Sequence, residues 1–268
     1  MTEGEMGKLV NIQRDGRTAI VSFDTASRSN ALSLKLMREL TEAALEFHDA
    51  PDVSAVILSG RADNFSMGAD LRDPERLDPA NVPLSQRRLL QRAGPRLCAA
   101  WEEVDAITIA AVEGWCIGGG MALAAACDLR VAGEGAKFYV PEVERGMNMS
   151  WGSIPRFVAL IGPARTKRLA ALCEKVDAEA ALGWGLCDYL APKGGGLAMA
   201  KEIAESIGTL PPTALKMVKK DVNVAALALS RATAHRDLDA FLLMQESEDF
   251  KEGVSAFLEG RDPDFTGD

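Results

Sequence analysis

Two glycine-bearing turns and one glutamate are the residues of this chain whose types and spacing could do chemistry. Ser66-Met67-Gly68-Ala69-Asp70 and Cys116-Ile117-Gly118-Gly119-Gly120 each follow an apolar, strand-like segment. Glycine takes backbone angles closed to other residues and lets a ligand come close to the main chain. The second turn runs into the Ala/Leu-rich stretch Met121 to Ala126, which reads as a buried helix. The first free N–H groups of that helix and the positive end of its dipole point into the turn. Two main-chain donors meeting in one cavity form an oxyanion hole, worth about 3 kcal/mol per donor in a transition state. Such a pair suits a thioester or ester carbonyl driven toward an enolate or a tetrahedral anion. It needs a proton carrier beside it, and Glu142, which follows a strand and Pro141, is the best-placed candidate. Taken alone, the glycines read rather as tight strand–helix packing, and Glu142 rather as a charge favoured at a helix N-terminus.

Other chemistries fit less well. The glycine spacing is not G-x-G-x-x-G and no acid follows at the offset a dinucleotide site needs, so a Rossmann site is not expected. Cys98, Cys116, Cys127, Cys173 and Cys187 form no C-x-x-C pair, which speaks against a disulfide framework and a zinc site. No metal is expected. His48 and His235 are the two histidines, and neither lies near a glycine-framed serine, so serine-hydrolase chemistry is not expected. Both read as surface or packing residues. A net charge of −9 repels nucleic acid. No apolar run approaches the roughly 20 residues of a membrane span, and the start, MTEGEMGK, carries no signal-peptide core. The expected setting is the cytoplasm or another reducing space.

The positioning elements follow from pattern. Lys8 to Phe23 reads as a hairpin turning at Asp15-Gly16, and about Ser33 to Asp49 as a one-sided helix with Ser33 as N-cap. Val53 to Ser59 reads as a strand buried on both faces. Asp73 to Pro83 reads as an exposed loop, Leu84 to Val104 as one long amphipathic helix, and Ile107 to Val112 as the strand entering the second turn. Leu129 to Ala132 and Lys137 to Val140 read as short strands, with a helical turn from Pro141. The strand, strand, helix order recurs, which suggests a ββα repeat. From Pro163 the chain is mostly helical, with helices expected at 163–173, 178–183, 197–207, 212–224 and about 230–257. A boundary is placed near residue 200, giving a body of residues 1–200 with the site and a helical region of 201–268 for oligomerisation and cover.

These residues resemble the crotonase (enoyl-CoA hydratase/isomerase) superfamily, over nearly the whole chain. The resemblance rests on Ser29-Asn30-Ala31-Leu32, Asn64 to Leu71, Ala110 to Gly120 and Cys127-Asp128-Leu129, with further matches at Phe138 to Glu142 and Gly253 to Leu258. It implies an α/β fold, a spiral of ββα turns with a helical C-terminal region, assembled as trimers or pairs of trimers. It implies acyl-CoA thioesters as substrates, with coenzyme A part of the substrate and no separate cofactor. By position, the oxyanion donors are the N–H groups of Ala69 and Gly119, and Glu142 matches one of two hydratase glutamates. Arg28, Ala31 and the segment Met67 to Leu71, with Asp70 and Leu71, match places where the family holds the nucleotide and pantetheine.

Several departures bear on the reaction. Ala122 stands where hydratases carry their other glutamate, and it cannot transfer a proton. One-carboxylate chemistry survives this loss, so double-bond isomerisation by Glu142 is favoured. Hydration, or hydration followed by carbon–carbon cleavage, with Glu142 alone is one alternative; a non-catalytic acyl-CoA-binding homologue is another. Met147 to Ser153 replaces a small-residue turn, so Met149 and Trp151 are expected to reshape the acyl pocket, with a core position as the alternative for Trp151. Gly260 stands where relatives often have a CoA-binding lysine, with Arg261 as a candidate substitute. Glu144, about 200° round a helix from Glu142, is expected to be solvated or ion-paired.

Overall fold

The computed structural model describes residues 8–75, 82–234 and 236–268. Strands β1 (Val10–Asp15) and β2 (Thr18–Phe23) form the antiparallel hairpin, with Gly16 in the left-handed region at φ +56°. Helix α1 (Leu34–Leu45) starts where Ser33 Oγ accepts the Leu36 N–H at 3.1 Å. Strand β3 (Ala55–Ser59), helices α2 (Leu84–Gln91) and α3 (Ala93–Glu102), and strands β4 (Ile107–Val112) and β5 (Trp115–Ile117) follow. Then come α4 (Gly119–Ala126), β6 (Leu129–Gly133), β7 (Lys137–Tyr139), α5 (Ser153–Ala170), β8 (Val176–Asp177), α6 (Ala178–Trp184), β9 (Tyr189–Ala191) and α7 (Gly196–Gly208).

The strands make two sheets, one in the order β1-β2-β3-β4-β6-β9 and a small one in the order β5-β7-β8. Beyond the hairpin every pairing in the large sheet is parallel. Each turn of the chain adds a strand to the large sheet, a second strand or bridge to the small layer, and then a helix: β4, β5 and α4 make one such turn, and Ser66 supplies the bridge of the preceding turn by pairing with Cys116. This is a spiral of ββα turns. Both faces of the large sheet are covered at its centre, so β3 and β4 are near-continuous apolar runs. On β3, Val56 and Leu58 face the main core with Leu36, Leu40, Leu97 and Trp101, while Ala55 and Ile57 face Ala200 and Ala204 of α7. Position 200, the expected boundary, therefore lies inside a helix that packs under the sheet.

Three expectations about helices need correction. The long helix expected from Leu84 is broken at Arg92, because the Pro95 ring opposes the carbonyl of Gln91, four residues earlier. Helix α5 starts at Ser153, ten residues ahead of the expected Pro163, and bends at Gly162, which takes φ +73° just before that proline. The helix expected over 230–257 is divided between the end of α8 (Pro212–Ala234), α9 (Asp237–Met244) and α10 (Glu248–Glu259), where Ser247 caps α10 by accepting the Phe250 N–H at 3.1 Å. His235 and residues 76–81 of the expected loop lie outside the described residues. Among the described residues, no helix is long and apolar enough to cross a membrane.

The C-terminal helices are tied to the body at particular points. Lys219 of α8 donates to the Ala106 carbonyl at 2.8 Å and pairs with Asp128 at 2.6 Å. Asp128 also accepts the Thr108 N–H at 2.7 Å and the Thr108 hydroxyl at 2.9 Å. Helix α10 seats on the short turn Val143–Arg145 through two glycines, since a Cβ at Gly253 would overlap the Arg145 backbone and one at Gly146 the Asp249 carbonyl. Removing one partner of a largely buried ion pair leaves the other uncompensated. Asp128→Ala should therefore lower unfolding stability by about 3 kcal/mol in urea, and adding Lys219→Met should recover part of the loss. A loss under about 1 kcal/mol would contradict this account of how α8 is held.

Candidate active site

The first turn is shaped from below by a buried asparagine. Asn30, at φ +42°, donates from its carboxamide to the Phe23 and Phe65 carbonyls at 3.3 and 2.9 Å. Ser66 donates to the Asn30 carbonyl at 2.9 Å and accepts the Gly68 N–H at 3.1 Å. Leu32 donates to the Gly68 carbonyl at 2.8 Å and accepts from Asp70 at 3.0 Å, so the main-chain groups on either side of Ala69 are engaged. Gly68 sits at φ +89°, and a Cβ there would lie 2.8 Å from the Ile117 carbonyl oxygen, which is why this position is glycine.

The second turn arrives from β5. Gly118 takes φ +49° and donates to the Tyr139 carbonyl at 2.9 Å, and Gly119 then opens α4. A Cβ at Gly119 would lie 3.3 Å from the Ala69 nitrogen, so the two amides stand side by side. Among the described residues neither the Ala69 nor the Gly119 N–H has a protein acceptor. Free, adjacent donors of this kind suit an oxyanion.

Glu142 reaches the same place from the end of β7. A Cβ at Gly118 would overlap its Oε1, so the carboxyl rests directly against the second turn. The residue keeps part of its surface open to the cavity, whereas Oε2 is buried and has no hydrogen-bond partner. Burial pushes its carboxyl up to about 7, opposed by its own N–H and by the nearby Arg145 guanidinium. Its carbonyl accepts from Arg145 and Met147 at 3.0 and 2.9 Å, fixing the turn. Arg145 in turn lies over the Phe257 ring of α10, 3.9 Å from its centroid.

These groups enclose a cavity of about 60 Å³ lined by Met67, Ala69, Leu71, Gly119 and Glu142, together with Asn148, Met149, Trp151 and Phe241. Arg28, Ala31 and Asp70 do not line it. Arg28 is exposed and its carbonyl accepts from Asn64 at 2.8 Å; Asp70 accepts the Arg72 N–H at 2.9 Å; Ala31 precedes Leu32, which bridges Ala69. Ala122 is buried in the core and does not face the cavity, and Glu142 is the one carboxylate among its described lining residues. Glu144 is exposed and accepts the Tyr139 hydroxyl. The Arg261 guanidinium is spent on Glu259 at 2.6 Å and on Glu252 at 2.8 Å, beside Gly260, which ends α10 at φ +71°. His48 packs against the Ala100 carbonyl at 2.9 Å. A larger hollow of about 510 Å³ between α1, α3 and α8 is lined by groups such as Lys216, Lys220, Glu103 and Asp105 and contains neither turn.

Trp151 stands over this site in an unusual conformation. Its φ is +64°, a region that costs a bulky residue about 1–3 kcal/mol. The turn is over-determined by its neighbours. Asp237 of α9 accepts the Gly152 N–H at 2.9 Å, and burial raises the Asp237 carboxyl above its usual range. Arg156 donates to the Trp151 and Gly152 carbonyls at 3.0 Å each and is held by Glu102 at 2.7 Å. A Cβ at Gly94 on α3 would run into the indole, and one at Gly119 would lie 2.6 Å from its far edge. Arg145, Asn148, Gln91 and Phe241 also line the cavity and were not visible as site residues in the sequence. A glycine inside a helix, Gly94, was the one local sign that something large had to be accommodated there.

The likeness of the chain to known proteins agrees with this fold. Residues 14–268 match the enoyl-CoA hydratase/isomerase family. The chain is 33% identical over 259 residues to a probable enoyl-CoA hydratase of Mycobacterium tuberculosis, covering 95% of this chain and 96% of that one. It is 29% identical to the 2,3-dehydroadipyl-CoA hydratase of Escherichia coli, covering 98% of this chain and 100% of that one. The structure of a carnitinyl-CoA hydratase from Mycobacterium avium superposes with a TM-score of 0.86 at 29% identity, covering 98% of this chain and 100% of the other. With this fold, and with a match running from the first hairpin to the last residue, the chain belongs to the enoyl-CoA hydratase/isomerase family.

Proposed function

We propose that this protein moves a double bond in an acyl-CoA thioester, with Glu142 as its only proton carrier. The observation that carries the reading is the pairing of one buried carboxyl, whose Oε2 has no partner, with two free amides in a cavity that offers no second carboxylate among its described lining residues. In the reaction, the Glu142 carboxylate removes a proton from the α carbon of a 3-enoyl thioester. The electron pair moves onto the thioester oxygen, where the Ala69 and Gly119 N–H groups stabilise the charge. The protonated Glu142 then returns the proton at the γ carbon as the electrons move back, leaving the 2-enoyl thioester. A carboxyl with a value near 7 serves both halves, since it is neither too weak a base nor too weak an acid at neutral pH. Met67 and Leu71 at the cavity, with Arg28, Ala31 and Asp70 on the adjoining surface, are the groups we assign to the pantetheine and nucleotide.

Hydration of a 2-enoyl thioester by Glu142 alone is the second reading. It is favoured by the names of the relatives and by Asn148, whose Oδ1 is buried without a partner in the same cavity and could hold a water.

A panel of a 3-enoyl-CoA, a 2-enoyl-CoA and an aryl-propenoyl-CoA separates the readings. The 3-enoyl thioester should be turned over fastest, and Glu142→Gln should lower that rate by about a thousandfold. Faster hydration of the 2-enoyl thioester would replace isomerisation with the second reading, and an unimpaired Glu142→Gln would end both. The base must be ionised in the free enzyme, so kcat/KM should fall tenfold per pH unit below about 7. Stability should show the converse. The folded protein holds this proton more tightly than the unfolded chain, so the contribution is complete below pH 4.5 and is lost as pH rises to about 7. Glu142→Gln should accordingly equal the wild type near pH 4.5 and exceed it by on the order of 3 kcal/mol at pH 8, read by urea unfolding.

A further inference from the structure

Trp151 combines three features that packing alone does not require. It holds a left-handed backbone that suits glycine, the turn is pinned through the Gly152 N–H by Asp237 and through both carbonyls by Arg156, and its ring edge stands next to the oxyanion amides. The Gly94 hydrogen makes way for the indole on the far side, so the ring is wedged between α3 and the opening of α4. The cavity left over is about 60 Å³. A cavity of roughly 150 Å³ holds a six-carbon ring, so this one has room for about two or three carbon-sized groups. That is space for a short acyl chain and not for a long one.

We infer that Trp151 is a specificity-determining residue that closes the acyl end of the site and restricts it to short acyl groups, of about four carbons or fewer. This rests on the acyl-CoA reading above and names the substrate class within it: a short, unbranched acyl thioester such as but-3-enoyl-CoA. Asp237, Arg156 and Glu102 are positioning residues for the indole. Asp237 sits on α9, so the ceiling of the pocket depends on the C-terminal helices being docked.

Calorimetric binding of saturated acetyl-, butanoyl-, hexanoyl- and octanoyl-CoA tests this without requiring turnover. Wild-type protein should bind butanoyl-CoA best and octanoyl-CoA at least tenfold more weakly. In Trp151→Gly, chosen because φ +64° suits glycine, affinity should instead rise about fourfold for each methylene that finds room beyond butanoyl. Trp151→Phe keeps a smaller ring and should move the optimum by one or two carbons, so it serves if the glycine variant does not fold. Wild-type affinity that is flat or rising through octanoyl-CoA, or a length preference unchanged in both variants, would overturn the inference while leaving the acyl-CoA reading intact. Binding of none of the four thioesters by wild-type protein would overturn that reading and the inference with it.

Discussion

The structure depends on leaving two main-chain N–H groups and one carboxyl oxygen unsatisfied inside the protein. Burying such groups without partners is costly, and native folds avoid it. Here the arrangement is enforced by contacts that have no slack. Gly68 and Gly118 take positive φ, the neighbours of Ala69 are bonded to Leu32, and the Glu142 carboxyl rests against Gly118 in the space a side chain would fill. None of the three polar groups can turn away to find a partner. In the proposed reaction this polarity meets a charge that appears only in the transition state, which is how preorganised sites stabilise it.

The cost of that arrangement is distributed over the rest of the molecule. The parallel sheet, covered on one face by α1, α3 and α4 and on the other by α7, fixes the ends of β4 and β5 from which the second turn springs. The C-terminal helices matter for the same reason. Lys219 ties α8 to Asp128 just past α4, α10 grips the Glu142 turn through Gly146 and Gly253, and Asp237 of α9 holds the Trp151 turn. Stability and site geometry are therefore coupled through a small number of glycines and buried ion pairs.

Much of this was legible in the sequence, for reasons that can be stated residue by residue. Asp15-Gly16 marked the hairpin, Ser33 the start of α1, and the apolar run at Val53 to Ser59 a strand covered on both faces, because turn, cap and burial chemistry are local. The spacing of the two glycine turns and Glu142 pointed to the site, and the structure brings those three together. Long-range packing was less visible. The break at Arg92 comes from a proline three residues on, and Ser247 was not recognised as the cap that starts α10. Gln91, Asn148 and Phe241 belong to different elements, and nothing in their local sequence says they share a cavity. The left-handed backbone of Trp151 is likewise set by tertiary partners rather than by residue type, since no bulky side chain favours it.

The central claim is that these two amides and this one carboxyl together form and reprotonate a thioester enolate. Exchange at the α carbon reads that step alone, whatever reaction follows it. Butanoyl-CoA incubated with the protein in deuterated water should take up deuterium at its α carbon, seen by mass spectrometry, and Glu142→Gln should abolish the uptake. No uptake with wild-type protein, or the same uptake with the variant, would contradict the account.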